Sequence, residues 1–255
     1  MRLRHSRAAS LIAVAILVAG SSARALDVGP KSIPLKVGGV AVDIPVVGQL
    51  DVRTNADNLA LAASATGDLQ AIQANALPIA QGLKLPSDAC KRKGVNLVVN
   101  HIDAASLTPM KASVLIDLSG HVTVWACAKV MGVALKTKLA EDEVRITAPV
   151  ELYLPNSRAV ALRLSGLATL ATSNPKTREA ASVLVGDIDA ALSELLSKLL
   201  DTTRARAAAP LIPGLDVDIE SAVFAQDGDK LLVKATGRAN VSSDAFTTLM
   251  GYLGK

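Results

Sequence analysis

Residues 111–155 read KASVLIDLSG HVTVWACAKV MGVALKTKLA EDEVRITAPV ELYLP, and apolar side chains occupy every second position for most of that length. Val114, Ile116 and Leu118 alternate with other residues, as do Val122, Val124, Ala126, Ala128 and Val130. Val133, Leu135, Thr137 and Leu139 follow, then Val144, Ile146, Ala148, Val150, Leu152 and Leu154. Successive strand residues point to opposite faces, so a period of two marks strands with one apolar face. Ser119-Gly120, Ala140-Glu141-Asp142 and Pro155-Asn156-Ser157 read as turns between the segments. Val95, Leu97 and Val99 extend the pattern upstream, and Val160, Leu162 and Leu164 extend it downstream. The expectation is an antiparallel meander of about six strands between Gly94 and Leu170.

On the N-terminal side, Val40, Val42 and Ile44 alternate between Gly38-Gly39 and Gly48, with Pro45 marking a hairpin near a sheet edge. Leu59, Leu61 and Ala63 continue as a second strand. Asp68 reads as the N-cap of a helix carrying Leu69, Ile72, Ala76, Ile79, Ala80 and Leu83, with a kink or break at Pro78. On the C-terminal side, Asn174-Pro175 opens a second helix. Its stripe is Val183, Leu184, Ile188, Ala191, Leu192, Leu195, Leu196, Leu199 and Leu200. Running to Arg206, it would be about 48 Å long. A hairpin with its turn at Asp227-Gly228-Asp229 comes next, and a short helix is expected over 244–253. The expected fold class is α+β: a long curved antiparallel sheet wrapped around one long and one shorter amphipathic helix.

The first 25 residues have the form of a cleavable signal peptide. Arg2, Arg4 and Arg7 precede the apolar stretch from Ala8 to Ala19, and Ala23-Arg24-Ala25 supplies a small-x-small site. The apolar stretch is too short for the roughly 20 residues that span a bilayer. Its removal takes four of the 27 basic residues and none of the 23 acidic ones, leaving a formal net charge of zero. A nucleic-acid partner is therefore not expected, because phosphate binding draws on a surplus of Lys and Arg. The expected location is the periplasm or the medium, with residues 26–255 as a single domain and peripheral membrane contact open to it. Cys90 and Cys127 are the only cysteines, and in an oxidising compartment they are expected to form a disulfide.

Gly67-Asp68-Leu69 recurs as Gly186-Asp187-Ile188, Gly94-Val95 as Gly214-Leu215, and Gly120-His121-Val122 as Gly237-Arg238-Ala239. The offset is about 120 residues each time, the pattern of an internal pseudo-repeat.

Catalytic signatures are missing. There is no G-x-S-x-G, H-E-x-x-H or C-x-x-C, and no phosphate-binding Gly loop. His101-Ile102-Asp103 puts a histidine and a carboxylate on one strand face, but two ligands make no metal site. His121 and Cys127 lie about 20 Å apart along an extended strand, too far for a Cys–His couple. Neither enzymatic activity nor a metal or cofactor is expected.

The order of helix, antiparallel meander, long helix from Pro175 and terminal hairpin, with one candidate disulfide, resembles the tubular lipid-binding superfamily. That group includes the bactericidal/permeability-increasing and synaptotagmin-like mitochondrial lipid-binding domains. The resemblance covers about residues 36–240 and involves no point motif. It implies a lipid or other apolar ligand in a groove between helix and sheet. Leu184, Ile188, Leu192, Leu195 and Leu199 would line it from the helix, and Val114, Ile116, Val122 and Val124 from the sheet. The alternative is an envelope interaction protein with a dry core, a protein partner and no small-molecule ligand.

Overall fold

The computed structural model describes residues 24–55, 58–83, 85, 87–90, 94–130, 133–175, 177–179, 182, 186–201, 206–208 and 215–242. The expected signal peptide lies outside the described residues apart from Arg24 and Ala25, and so does the helix expected over 244–253.

Two antiparallel sheets carry the structure. The first joins β1 (Arg24–Val37), β2 (Val40–Asn55) and β3 (Asn58–Asp68) to the C-terminal hairpin of β10 (Leu215–Asp227) and β11 (Lys230–Ser242), in the order β1-β2-β3-β11-β10. The second runs β4 (Gly94–Met110), β5 (Ser113–Val130), β6 (Val133–Asn156), β7 (Ala159–Leu164) and β9 (Arg206–Ala208), with β8 (Thr169–Thr172) also paired to β6. Between β3 and β4 the chain passes through α1 (Gln70–Ala74) and α2 (Ala76–Gln81). α3 (Ile188–Leu200) lies against β7 and β8.

Local chemistry accounts for the hairpins. Gly38 and Gly39 take the positive φ values of +56° and +88° that the β1–β2 turn requires, and Gly228 does the same for β10–β11. Pro45 sits in β2 just before the pairing with β3 begins at Val46, so its missing N–H breaks no bond to that neighbour. The expected helix over 69–83 is divided at Asn75, which places Pro78 in the first turn of α2, where no backbone donor is needed. The Asp68 carboxylate accepts from the Gln70 N–H at 2.8 Å, although Asp68 itself ends β3.

The expected fold class is not what forms. Among the described residues a single helix exceeds six residues, and strands dominate. The apolar stripe that continues across residues 183–200 hides a break. Gly186 adopts φ +75°, a left-handed conformation that ends a helix, and its N–H donates to the Ser182 carbonyl at 2.8 Å. Asp187 then caps a new helix, its carboxylate accepting from the N–H groups of Asp189 and Ala190. α3 is therefore about 20 Å long rather than 48 Å, and the two sheets are not wrapped around a long helix. Asp189 ties α3 to the sheet margin, accepting from the Leu170 N–H at 2.8 Å and from Arg178 Nη2 at 2.8 Å.

The meander also has fewer and longer strands than the alternation indicated. Ser119-Gly120 lies within β5, and Ala140-Glu141-Asp142 within β6. At the second place the extra residue is absorbed as a bulge, with Val124 opposite Ala140 and Trp125 opposite Lys138. The sheets meet where Val114, Val150, Phe224 and Leu231 form a buried cluster. The Cys90–Cys127 disulfide (S–S 1.92 Å, Cα–Cα 5.6 Å) fastens the segment after α2 to β5.

Candidate functional site

The five-stranded sheet has one polar and one apolar face, and cross-strand partners share a face. On the apolar side, Val42, Ile44, Leu50, Leu61 and Val241 are buried, as alternation predicts. The middle of that face is different. Gly48 pairs with Ala65, Ala65 with Ala235, and Ala235 with Ala222, so one row crosses four strands with no side chain larger than a methyl. The next row is Leu50, Ala63, Gly237 and Ile219, again small in the centre. On the other side, Val46, Val233 and Phe224 form a wall that is interrupted at Gly67. Gly48, Ala65 and Ala235 are only half-buried, although they occupy the apolar face. The result is a shallow trough about 14 Å long across three inter-strand spacings.

One wall of the trough leads into the junction between the sheets. Phe224 belongs both to that wall and to the buried cluster with Val114, Val150 and Leu231. Around the cluster, Leu69, Leu107, Ile116, Leu152, Leu162 and Val233 are only partly buried.

The residues expected to line a groove are distributed differently. Val114 is in the inter-sheet cluster, Ile116 packs at its edge, and Val122 is buried while Val124 is half-buried on β5. On α3, Ile188 is buried, Leu192 is half-buried and Leu195 is 56% exposed. Leu199 is in α3, and Leu184 lies outside the described residues. No periodicity within a segment reveals the small-residue row, because its members come from four strands and meet only through register.

A polar cluster stands on the six-stranded sheet. His101 and His121 are cross-strand partners on β4 and β5, and Asp103 is the extra residue of a bulge between Ile102 and Ala104. Gly120 makes the bulge possible: a Cβ there would come within 2.4 Å of the His101 carbonyl oxygen and 3.1 Å of the Ile102 Cα. The two imidazoles stack with centroids 4.4 Å apart. Asp103 lies between their nitrogens, with Oδ1 3.0 Å from His101 Nε2 and Oδ2 3.1 Å from His121 Nδ1. The sequence signal for His101 and Asp103 was their spacing, whereas His121 joins them only through strand register. On β6, Glu143 is the register partner of His121. Glu143 also lines an open depression of about 560 Å³, together with Ala104, Ser119 and the Asp117–Arg145 ion pair. Glu141, two residues from Glu143 along β6, is held below the usual carboxylate range by its hydrogen bond and ion pair with Lys138 and, to a lesser extent, by His121.

No helix among the described residues is long and apolar enough to cross a membrane. No protein-family model matches the chain, and no curated protein matches it. Among solved structures, the crystal structure of a lipopolysaccharide binding protein is similar at 13% sequence identity and a TM-score of 0.34. The match covers 74% of this chain and 43% of that one, so the chain spans less than half the length of that protein. A likeness at this level does not establish membership of the tubular lipid-binding superfamily.

Proposed function

We propose that the chain is an exported, non-enzymatic protein that binds a lipid or other apolar ligand along the Gly48–Ala65–Ala235–Ala222 row. One observation carries this reading: Gly48, Ala65 and Ala235 lie on an apolar sheet face, bear no side chain beyond a methyl and are only half-buried, while Leu50 and Phe224 in the flanking rows are buried. Apolar concavities of this kind gain free energy by covering themselves with hydrocarbon. Each methylene withdrawn from water contributes about 0.8 kcal/mol, so a segment of ~8 methylenes contributes about 6 kcal/mol before the costs of ordering it. The partly buried aliphatics around the inter-sheet cluster, Ile116 among them, would extend the same surface. The N-terminal leader pattern and the Cys90–Cys127 disulfide support an oxidising, extracytoplasmic setting.

The test is native mass spectrometry with organic extraction on protein purified from the exported fraction without detergent, followed by titration with parinaric acid as an apolar fluorescent probe. Ala65→Leu and Ala235→Leu would fill the row from two strands. The expected result is an extractable bound mass in the wild type and probe affinity reduced at least about tenfold in variants with unchanged circular dichroism. A bare polypeptide mass together with no probe binding by the wild type would overturn the reading.

A further inference from the structure

The C-terminal hairpin contains a second copy of the bulge that builds the histidine cluster. Ile102 pairs with Gly120 beside the β4 bulge, and Ile219 pairs with Gly237 beside the β10 bulge. Both glycines lie against the partner backbone, Gly120 toward the His101 carbonyl and Gly237 toward the Asp218 carbonyl. In this alignment His101, Asp103 and His121 correspond to Asp218, Glu220 and Arg238. The C-terminal hairpin fills its bulge with an ordinary exposed ion pair, Arg238 Nε to Glu220 Oε1 at 2.7 Å. The same backbone geometry is thus satisfied by a guanidinium and a carboxylate. Two imidazoles at the other bulge are not something this geometry requires.

Imidazole differs from guanidinium in having a lone pair to donate. We propose that His101, Asp103 and His121 form a binding site for a divalent transition-metal ion, with Zn²⁺ as the ion of choice. A ligand nitrogen from each histidine and a carboxylate oxygen of Asp103 all lie within 4.8 Å of one another. Ligands sharing one tetrahedral zinc at bond lengths of about 2.0–2.2 Å stand about 3.3–3.6 Å apart, so closure takes side-chain movements on the order of 1 Å and a rotation of the two stacked rings that brings both lone pairs onto the ion. The side chains of His101, Asp103 and His121 are 55%, 40% and 40% exposed, so they have room to turn. Two imidazoles and one carboxylate suit zinc and its first-row neighbours rather than magnesium or calcium, which prefer oxygen ligands. Three protein ligands leave the remaining coordination positions of the ion to water, as in zinc sites that keep an open position.

The test is calorimetric titration of the tag-free chain with ZnCl₂, alongside His101→Gln and His121→Arg. His121→Arg recreates the ion pair of the other hairpin and should leave the metal-free melting temperature unchanged. The expected result is one zinc per chain in the wild type, with affinity reduced at least about tenfold in each variant. Co²⁺ should give a visible ligand-field spectrum in the wild type that is lost in His121→Arg. Absence of zinc binding by the wild type, or wild-type affinity in folded His121→Arg, would overturn the assignment.

Discussion

The carbonyl oxygen of His101 lies over the backbone of Gly120, where a Cβ would approach it to 2.4 Å. Backbone cannot give way as the end of a flexible side chain can, so Gly120→Ala must displace the β4 bulge. The expected cost is about 1–3 kcal/mol, measured by urea denaturation. Gly237→Ala meets the Asp218 carbonyl at 2.8 Å and should cost less. Equal losses at the two sites would show that the close approach does not govern the bulge.

Reduction of Cys90–Cys127 should lower stability by about 3–4 kcal/mol, because the bond closes a long loop in the unfolded chain. Thermal unfolding with and without reductant reads this directly. A melting temperature unmoved by reductant would mean that the segment after α2 is held by other contacts.

Asp142 is buried on β6 and accepts from Ser173 Oγ and, at 3.2 Å, from the Asn174 N–H. Burial pushes its pKa up, but hydrogen bonds from Ser173, Thr177 and the backbone of Asn174 and Glu143 outweigh this and hold it below the usual carboxylate value. A depressed folded pKa stabilises above the unfolded value of about 3.9, and that contribution is lost as pH falls through the folded pKa. Asp142→Asn should therefore cost about 1–3 kcal/mol at neutral pH, with the gap to wild type narrowing below about pH 4. A gap of constant size across that range would remove the carboxylate charge from the account.

Asp187→Ala removes the carboxylate that accepts from the first N–H groups of α3, at 3.0 and 3.1 Å. The expected loss is about 1 kcal/mol, read from chemical denaturation. Asp187→Asn, which retains a capping oxygen, should restore most of it. If both variants unfold together, the cap is not what sets the start of the helix.

Features that depend on neighbouring residues are written in the local sequence. Alternation at Leu215–Ile219 and Leu231–Ala235 around Asp227-Gly228-Asp229 placed the C-terminal hairpin, and a chain with two cysteines in all left each a single possible intramolecular partner. Strand lengths were beyond local reading, because Gly120 serves a close inter-strand approach as readily as a turn. The helix break at Gly186 was hidden in the same way: the apolar period continues across it while the backbone does not. That His121 stands beside His101 and Asp103, and that Gly48, Ala65, Ala235 and Ala222 form one row, follows from the pairing of the strands. The physical reason is register: hydrogen-bond pairing between strands far apart in the chain sets which side chains share a surface, and no local period records it.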